Sequence, residues 1–252
     1  MLHGSHFRFN KGRSVFGEIT MDFVPGKTLR SVWGELGHDD DKYRICRDLW
    51  NIIDQIRTIP CPEGLAESHY RTADGSPSRD YLLGTGTDYP PPTLDDQTLR
   101  ERIASRFEEV RPFYQGFSYQ DTLQLLEDLP MSSVSVFTHG DLWPGNIIVN
   151  ERYCIVAILD WESAGWFPDY WEYSQMMRAS ADPAVLDWQD WTKKTRPMPW
   201  DLKAFDKRTR LSMAKTSPVL DGEVNGLFRN IIAFRLIDVD CSQRYHAHDP
   251  NH

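Results

Sequence analysis

One stretch constrains this chain more than any other: Phe137-Thr-His-Gly-Asp-Leu-Trp-Pro-Gly-Asn146-Ile-Ile-Val, followed by Ile158-Leu-Asp160-Trp-Glu162-Ser-Ala-Gly165-Trp-Phe-Pro168. Ser135 to Thr138, Asn146 to Asn150 and Cys154 to Asp160 have the length and apolar content of short buried strands. The polar loop between the first two carries the turn formers Gly140, Pro144 and Gly145, which expose Asp141 and Asn146. Asp160 ends the strand that returns beside them. Two acids and one amide are therefore brought to one end of a small strand cluster.

Phosphoryl transfer needs a carboxylate to orient or deprotonate a hydroxyl, together with oxygen ligands for the magnesium that neutralises a triphosphate. Asp141, Asn146 and Asp160 meet that list. The stretch resembles the aminoglycoside phosphotransferase and choline kinase family, whose catalytic loop reads His-Gly-Asp-x-x-x-x-Asn and whose metal-binding Asp opens a later Asp-x-x motif. Ala164-Gly-Trp-Phe-Pro-Asp-Tyr-Trp-Glu-Tyr173 is also similar to members common in fungi. The resemblance implies an α+β chain: the mostly helical C-terminal lobe of a protein kinase-like fold with short catalytic-loop strands. It implies Asp141 as catalytic base, His139 as the buttress of the loop, and Asn146 and Asp160 as metal ligands. Trp143, Trp161, Glu162, Trp166, Tyr170 and Trp171 are candidate pocket or substrate contacts, with core packing the competing use of the aromatic ones.

Met21-Asp22-Phe23-Val24-Pro25-Gly26 resembles the family's hinge strand, usually Met-Glu-Tyr-x-x-Gly, after which the C-terminal lobe begins. The expected division is residues 1–26 as a remnant strand or hairpin of the N-terminal lobe and 27–252 as the C-terminal lobe, with a loop-rich insertion over about 60–94. Lys11 stands too close to the hinge to be the family's phosphate-binding lysine, and Gly4, Gly12 and Gly17 make no glycine-rich loop. Without those parts the expected activity is a non-phosphorylating acid/base reaction on an apolar metabolite, an elimination, cyclisation or isomerisation through Asp141 that requires no cofactor. The alternatives are ATP- and magnesium-dependent phosphorylation of a small-molecule hydroxyl, a pseudokinase that binds a ligand or a protein, and a shortened product without activity. An uncovered cleft face predicts a homodimer or a partner chain over it.

The 252 residues, 40% hydrophobic and 26% charged, suffice for a sizeable core. A formal charge of −9 argues against binding a phosphate backbone, so no nucleic-acid partner is expected. No apolar run is long enough for a signal peptide or a membrane span, and a cytoplasmic, small-molecule-binding protein is expected. Cys46, Cys61, Cys154 and Cys241 stand far apart without zinc spacing, which reads as reduced thiols. His246 and His248 read as a polar tail rather than a metal site.

Along the chain, Gly17 to Val24 reads as a strand ended by Pro25-Gly26, and Thr28 caps a short helix through Leu36. Ile45, Leu49, Ile52, Ile53 and Ile56 follow the period of a buried helix face. Pro60 to about Pro92 reads as a loop without regular structure. Helices are expected at Asp95–Val110, Tyr119–Leu129, Asp169–Ala179, Pro183–Trp191, Asp201–Lys215 and Leu220–Asp240. Acceptor contacts are expected from Tyr70–Pro92 and Asp182–Arg210.

Overall fold

In a computed structural model the described residues are 2–9, 15–62, 71–73, 95–110, 127, 130–178, 180–197 and 234–235. The expected helix Asp201–Lys215, nearly all of Tyr119–Leu129, most of the Pro60–Pro92 loop, and the histidine tail lie outside them.

Two strands open the chain, β1 (Leu2–Phe9) and β2 (Val15–Met21), paired as an antiparallel hairpin with Phe9 opposite Val15 and Leu2 opposite Met21. The strand expected at Gly17–Val24 thus starts earlier and stops at Met21. The reason lies just beyond it. Gly26 takes φ +146, and a Cβ there would sit 2.5 Å from the carbonyl oxygen of Val149. The backbone has to leave the hairpin to pass this close to another strand, which only glycine permits.

That passage leads into β3 (Lys27–Thr28), which pairs with β6 (Ile147–Val149). Thr28 then caps α1 (Leu29–Val32), its hydroxyl accepting the N–H of Ser31 at 3.3 Å. A turn of 3-10 helix, Trp33–Glu35, continues it. α2 (Asp39–Ile56) opens on Asp39, Asp40 and Asp41, whose charges suit the positive end of the helix dipole. Its buried residues include Ile45, Leu49, Ile52, Ile53 and Ile56, the stripe expected from their spacing.

The core forms where α2 meets α5 (Pro183–Thr195). The indole of Trp50 donates to the Thr192 carbonyl at 3.3 Å, and Asp187 accepts from both the Trp33 indole and Lys42. Leu49, Trp33, Trp171 and Trp188 are all at most 2% exposed. Truncating one such side chain to Ala costs about 2–5 kcal/mol.

Two small sheets stand on this core. In one, β3, β6, β7 (Ile155–Ile158) and β9 (Phe234–Arg235) lie in that order. In the other, β4 (Arg71–Thr72), β8 (Gly165–Pro168) and β5 (Ser135–Thr138) do. β5 matches its expected bounds, and β6 and β7 lie inside theirs. β4 and β8 were not expected: Arg71 pairs with Trp166 and Thr72 with Gly165, so a piece of the Gly- and Pro-rich stretch completes a sheet edge. The helix expected over Leu220–Asp240 does not hold at Phe234–Arg235, which instead supply strand partners for Ala157 and Ile158. α3 (Asp96–Val110) agrees with its expected span, whereas α4 (Trp171–Met176) is shorter than the expected Asp169–Ala179. Gln189 on α5 explains that ending, because its amide takes the carbonyls of Met176 and Arg178 at 2.9 and 2.6 Å.

The expectation of four thiols is also corrected. Cys46 and Cys61 are reduced, but Cys154 is disulfide-bonded. Among the described residues no helix is long and apolar enough to cross a membrane.

Candidate active site

The loop from β5 to β6 leaves one sheet and enters the other, and its conformation is set by its own polar groups. His139 is fully buried beside the Trp161 ring, the two centroids 4.6 Å apart and edge to face. Its Nε2 lies 2.8 Å from the Leu159 carbonyl and its Nδ1 accepts the N–H of Asp141 at 3.2 Å, which assigns the tautomer with the proton on Nε2. Burial pushes the imidazole pKa down to about 4, the Leu159 carbonyl opposing and the Arg178 charge reinforcing the shift. His139 is thus a neutral bracket between Leu159, just past β7, and the backbone of Asp141.

Gly140 follows at φ +80, where a Cβ would stand 2.6 Å from the Ser163 carbonyl oxygen. Its N–H and that of His139 both end on one carboxylate: Glu172, from α4, accepts from His139 at 2.6 Å and from Gly140 at 3.3 Å. Glu172 is 1% exposed. Burial pushes its pKa up to about 7 against the two N–H bonds and the Arg57 charge, which act in the opposite direction. The side chain is tied to the loop at both oxygens.

Beyond Gly140 the polar groups of the motif gather. Asn146 donates from Nδ2 to the Asp141 carbonyl at 2.9 Å, with Asp141 Oδ2 at 3.5 Å. Its backbone is held from both sides, the N–H on the Trp143 carbonyl and the carbonyl on the N–H of Leu159 at 2.8 Å. That second bond sets Asn146 beside Asp160, which follows Leu159. Asp160 takes the left-handed region at φ 65 and φ of this sign is uncommon for any residue but glycine.

Asp141 also lines a cavity of about 440 Å³, a size suited to a small organic molecule. Leu142, Trp143 and Met176 give it an apolar side, while Arg30 and Asp182, paired at 2.7 Å, stand in its wall with Arg178. Arg178 donates to Asp141 Oδ1 at 2.5 Å and to the Gly140 carbonyl at 3.1 Å.

The family model described as the phosphotransferase enzyme family (APH) matches residues 11–187, which include this whole loop, α4 and the start of α5. The chain belongs to that family. No curated protein matches it significantly.

Phosphotransferase enzymes work with magnesium nucleotide, so the donor set can be tested for fit. With Asn146 Nδ2 turned to the Asp141 carbonyl, its amide oxygen remains as an oxygen donor, and Asp160 supplies a carboxylate from just past the strand that pairs with Ile147. Hard oxygen donors in this number suit magnesium, which takes one or two protein groups and fills its octahedron with water and phosphate oxygens. Among the described residues there is no cluster of three or more His, Cys, Asp or Glu that could cage a metal by itself. The set fits a metal that arrives with its nucleotide.

Of the residues singled out in the sequence, His139, Asp141, Trp143, Asn146 and Asp160 come together here. Trp161, Trp166, Tyr170 and Trp171 do not line this cavity: all four are at most 7% exposed and pack in the core. Trp161 stacks on Phe137, Trp166 meets Phe137 edge-on, Trp171 stacks on Phe167, and the Tyr170 hydroxyl donates to Asp96. Their apolar area is worth more buried against one another than exposed to a polar cleft. Glu162 lies in the 3-10 turn Trp161–Ser163 and is half-buried. Two residues of the site escaped the sequence reading. Glu172 had a signal, an acid inside an apolar aromatic run, whereas Arg178 had none.

Proposed function

We propose that this phosphotransferase-family chain transfers the γ-phosphoryl group of ATP to a hydroxyl of a small molecule held in the cavity beside Trp143. The observation that carries the reading is the position of Asp141: it faces the cavity while its backbone carbonyl holds Asn146, and Asn146 in turn stands beside Asp160. A carboxylate that addresses the acceptor and oxygen donors that address a metal nucleotide are thereby neighbours.

Asp141 orients the acceptor hydroxyl so that its oxygen bonds to the γ-phosphorus as the bond from that phosphorus to the β–γ bridging oxygen breaks. ADP leaves, and the hydroxyl proton passes to Asp141 and on to solvent. Asn146 and Asp160 would hold the magnesium, which supplies charge neutralisation on the triphosphate when bound. His139 and Glu172 keep the loop in the shape that aims Asp141.

A non-phosphorylating elimination or isomerisation would use Asp141 alone. It gives Asn146 and Asp160 no part. Abstraction of a proton from carbon is also poorly served by a carboxylate whose charge is already compensated by Arg178, whereas orienting a hydroxyl is well served by one.

Calorimetric titration of the chain with ATP and magnesium, repeated on Asp160→Ala, tests the reading. Binding that requires Asp160, accompanied by release of ADP in a turnover assay, is the expected result. Absence of nucleotide binding in the unaltered chain would return the acid/base reaction to the front.

A further inference from the structure

Arg178 stands just past the end of α4, and each part of it is fixed by a different element. Its backbone carbonyl accepts from Gln189 of α5 at 2.6 Å. Its Nε donates to Gln175 Oε1 at 2.7 Å, which sets the plane of the guanidinium. Nη1 then meets Asp141 Oδ1 at 2.5 Å and Nη2 the Gly140 carbonyl at 3.1 Å. Gln175 and Gln189 are both buried. An exposed surface ion pair is worth about 0–1 kcal/mol and tolerates many geometries. This pair differs, because a planar fork held at its root and at its Nε fastens two successive residues of the loop.

We infer that Arg178 is a positioning residue that fixes the plane of the Asp141 carboxylate by holding Oδ1, and thereby sets the direction from which that carboxylate meets the acceptor hydroxyl. The second half of this statement rests on the phosphotransfer reading; the first does not. Oδ2 lies 3.5 Å from Asn146 Nδ2, so the carboxylate spans from Arg178 on one side to Asn146 on the other. A partial rotation that tilted the plane of the Asp141 carboxylate would turn its lone pairs away from the hydroxyl. The guanidinium prevents that rotation, a service that charge alone does not provide and that Lys cannot reproduce, since an ammonium has no fixed fork. Arg178 also lines the cavity itself, so the clamp lies on the acceptor's side of Asp141.

Two measurements on the full chain test this. In nitrogen-15 NMR the Arg178 Nη signals are expected to be resolved by restricted rotation in the unaltered chain and to collapse in Asp141→Ala. In a turnover assay with magnesium ATP and water as the acceptor, Arg178→Ala is expected to lower kcat by about 10- to 100-fold with the KM for ATP unchanged. Added guanidinium should restore part of that loss, and Arg178→Lys should recover less than the rescued variant. A merely structural Arg178 would lower thermal stability without any response to guanidinium. Freely rotating Nη signals, or an Arg178→Ala chain with undiminished kcat, would overturn the inference and leave the phosphotransfer reading standing. An unaltered chain that turns over no ATP would overturn that reading together with the catalytic role given to Arg178, and the NMR signals tell this case apart because they report the clamp without any turnover.

Discussion

The carboxylate of Glu172 accepts the backbone N–H of His139 at 2.6 Å across 33 residues of sequence, both groups being buried. A helix thereby grips the catalytic loop at its backbone rather than at a side chain. Because the grip is a single buried acid, the ionisation of that acid reaches the loop directly.

The folded-state pKa of Glu172 is raised from its ordinary 4.5 to about 7, so between those values the folded chain binds a proton that the unfolded chain has released. Its contribution to stability is full below the lower value and is lost as pH rises through the upper one. His139 acts oppositely: its pKa falls from 6.5 to about 4, so its contribution is full above the upper value and is lost as pH falls toward the lower. The two offset each other where the windows overlap. The stability difference between the unaltered chain and Glu172→Gln isolates the first, and urea denaturation should find that difference shrinking, by on the order of a few kcal/mol, from pH 5 to pH 8. A difference constant across that range would sink the argument.

Asp141→Asn keeps an oxygen for Arg178 and removes the charge and the basic site. Magnesium ATP turnover is expected to fall by about 10²- to 10⁴-fold while nucleotide affinity, measured by calorimetry, stays within about twofold. Equal losses of affinity and turnover would place Asp141 in nucleotide binding instead.

Gly140→Ala should destabilise the chain by about 2 kcal/mol or more, since φ is +80 and the new Cβ meets the Ser163 carbonyl at 2.6 Å. Gly37→Ala is the control, because nothing lies within 4 Å of its added Cβ. Thermal melting should separate the two substitutions clearly, and similar melting temperatures would count against the tight turn at Gly140.

Burial pushes the Cys46 thiol up to about 12, with a weak contact to Thr192 opposing. Thiolate is therefore scarce at neutral pH, and a thiol reagent should modify Cys46 only on unfolding. Mass mapping of modified peptides before and after denaturant checks this; rapid native labelling at Cys46 would show the α2–α5 seam to be open.

The strands around the loop were legible because each is a short apolar run bounded by turn formers, and β5, β6 and β7 fall on or within the runs from which they were expected. α2 was legible for the same kind of reason, five isoleucines and leucines at helical spacing. Asp141, Asn146 and Asp160 could be named because their spacing resembles a known motif. What sequence could not supply were relations across long separations. Arg71 pairing with Trp166, Phe234 with Ile158, and Arg178 reaching Asp141 depend on which edge or carboxylate happens to face them. The aromatic residues near Asp160 were ambiguous for another reason, since an indole suits a pocket wall and a core equally until burial decides.

The loop from His139 to Asn146 is also a bridge: it leaves β5 in one sheet and joins β6 in the other. Its anchored end, with His139 gripped by α4, belongs to the first sheet, and Asn146 with Asp160 belongs to the second. A slide of one sheet past the other would alter the spacing between Asp141 and the Asn146–Asp160 pair without breaking a single strand pair. On the phosphotransfer reading proposed above, that spacing is a gauge of how two sheets are seated, and substitutions in the seam between them should tune rate while leaving every residue of the motif intact.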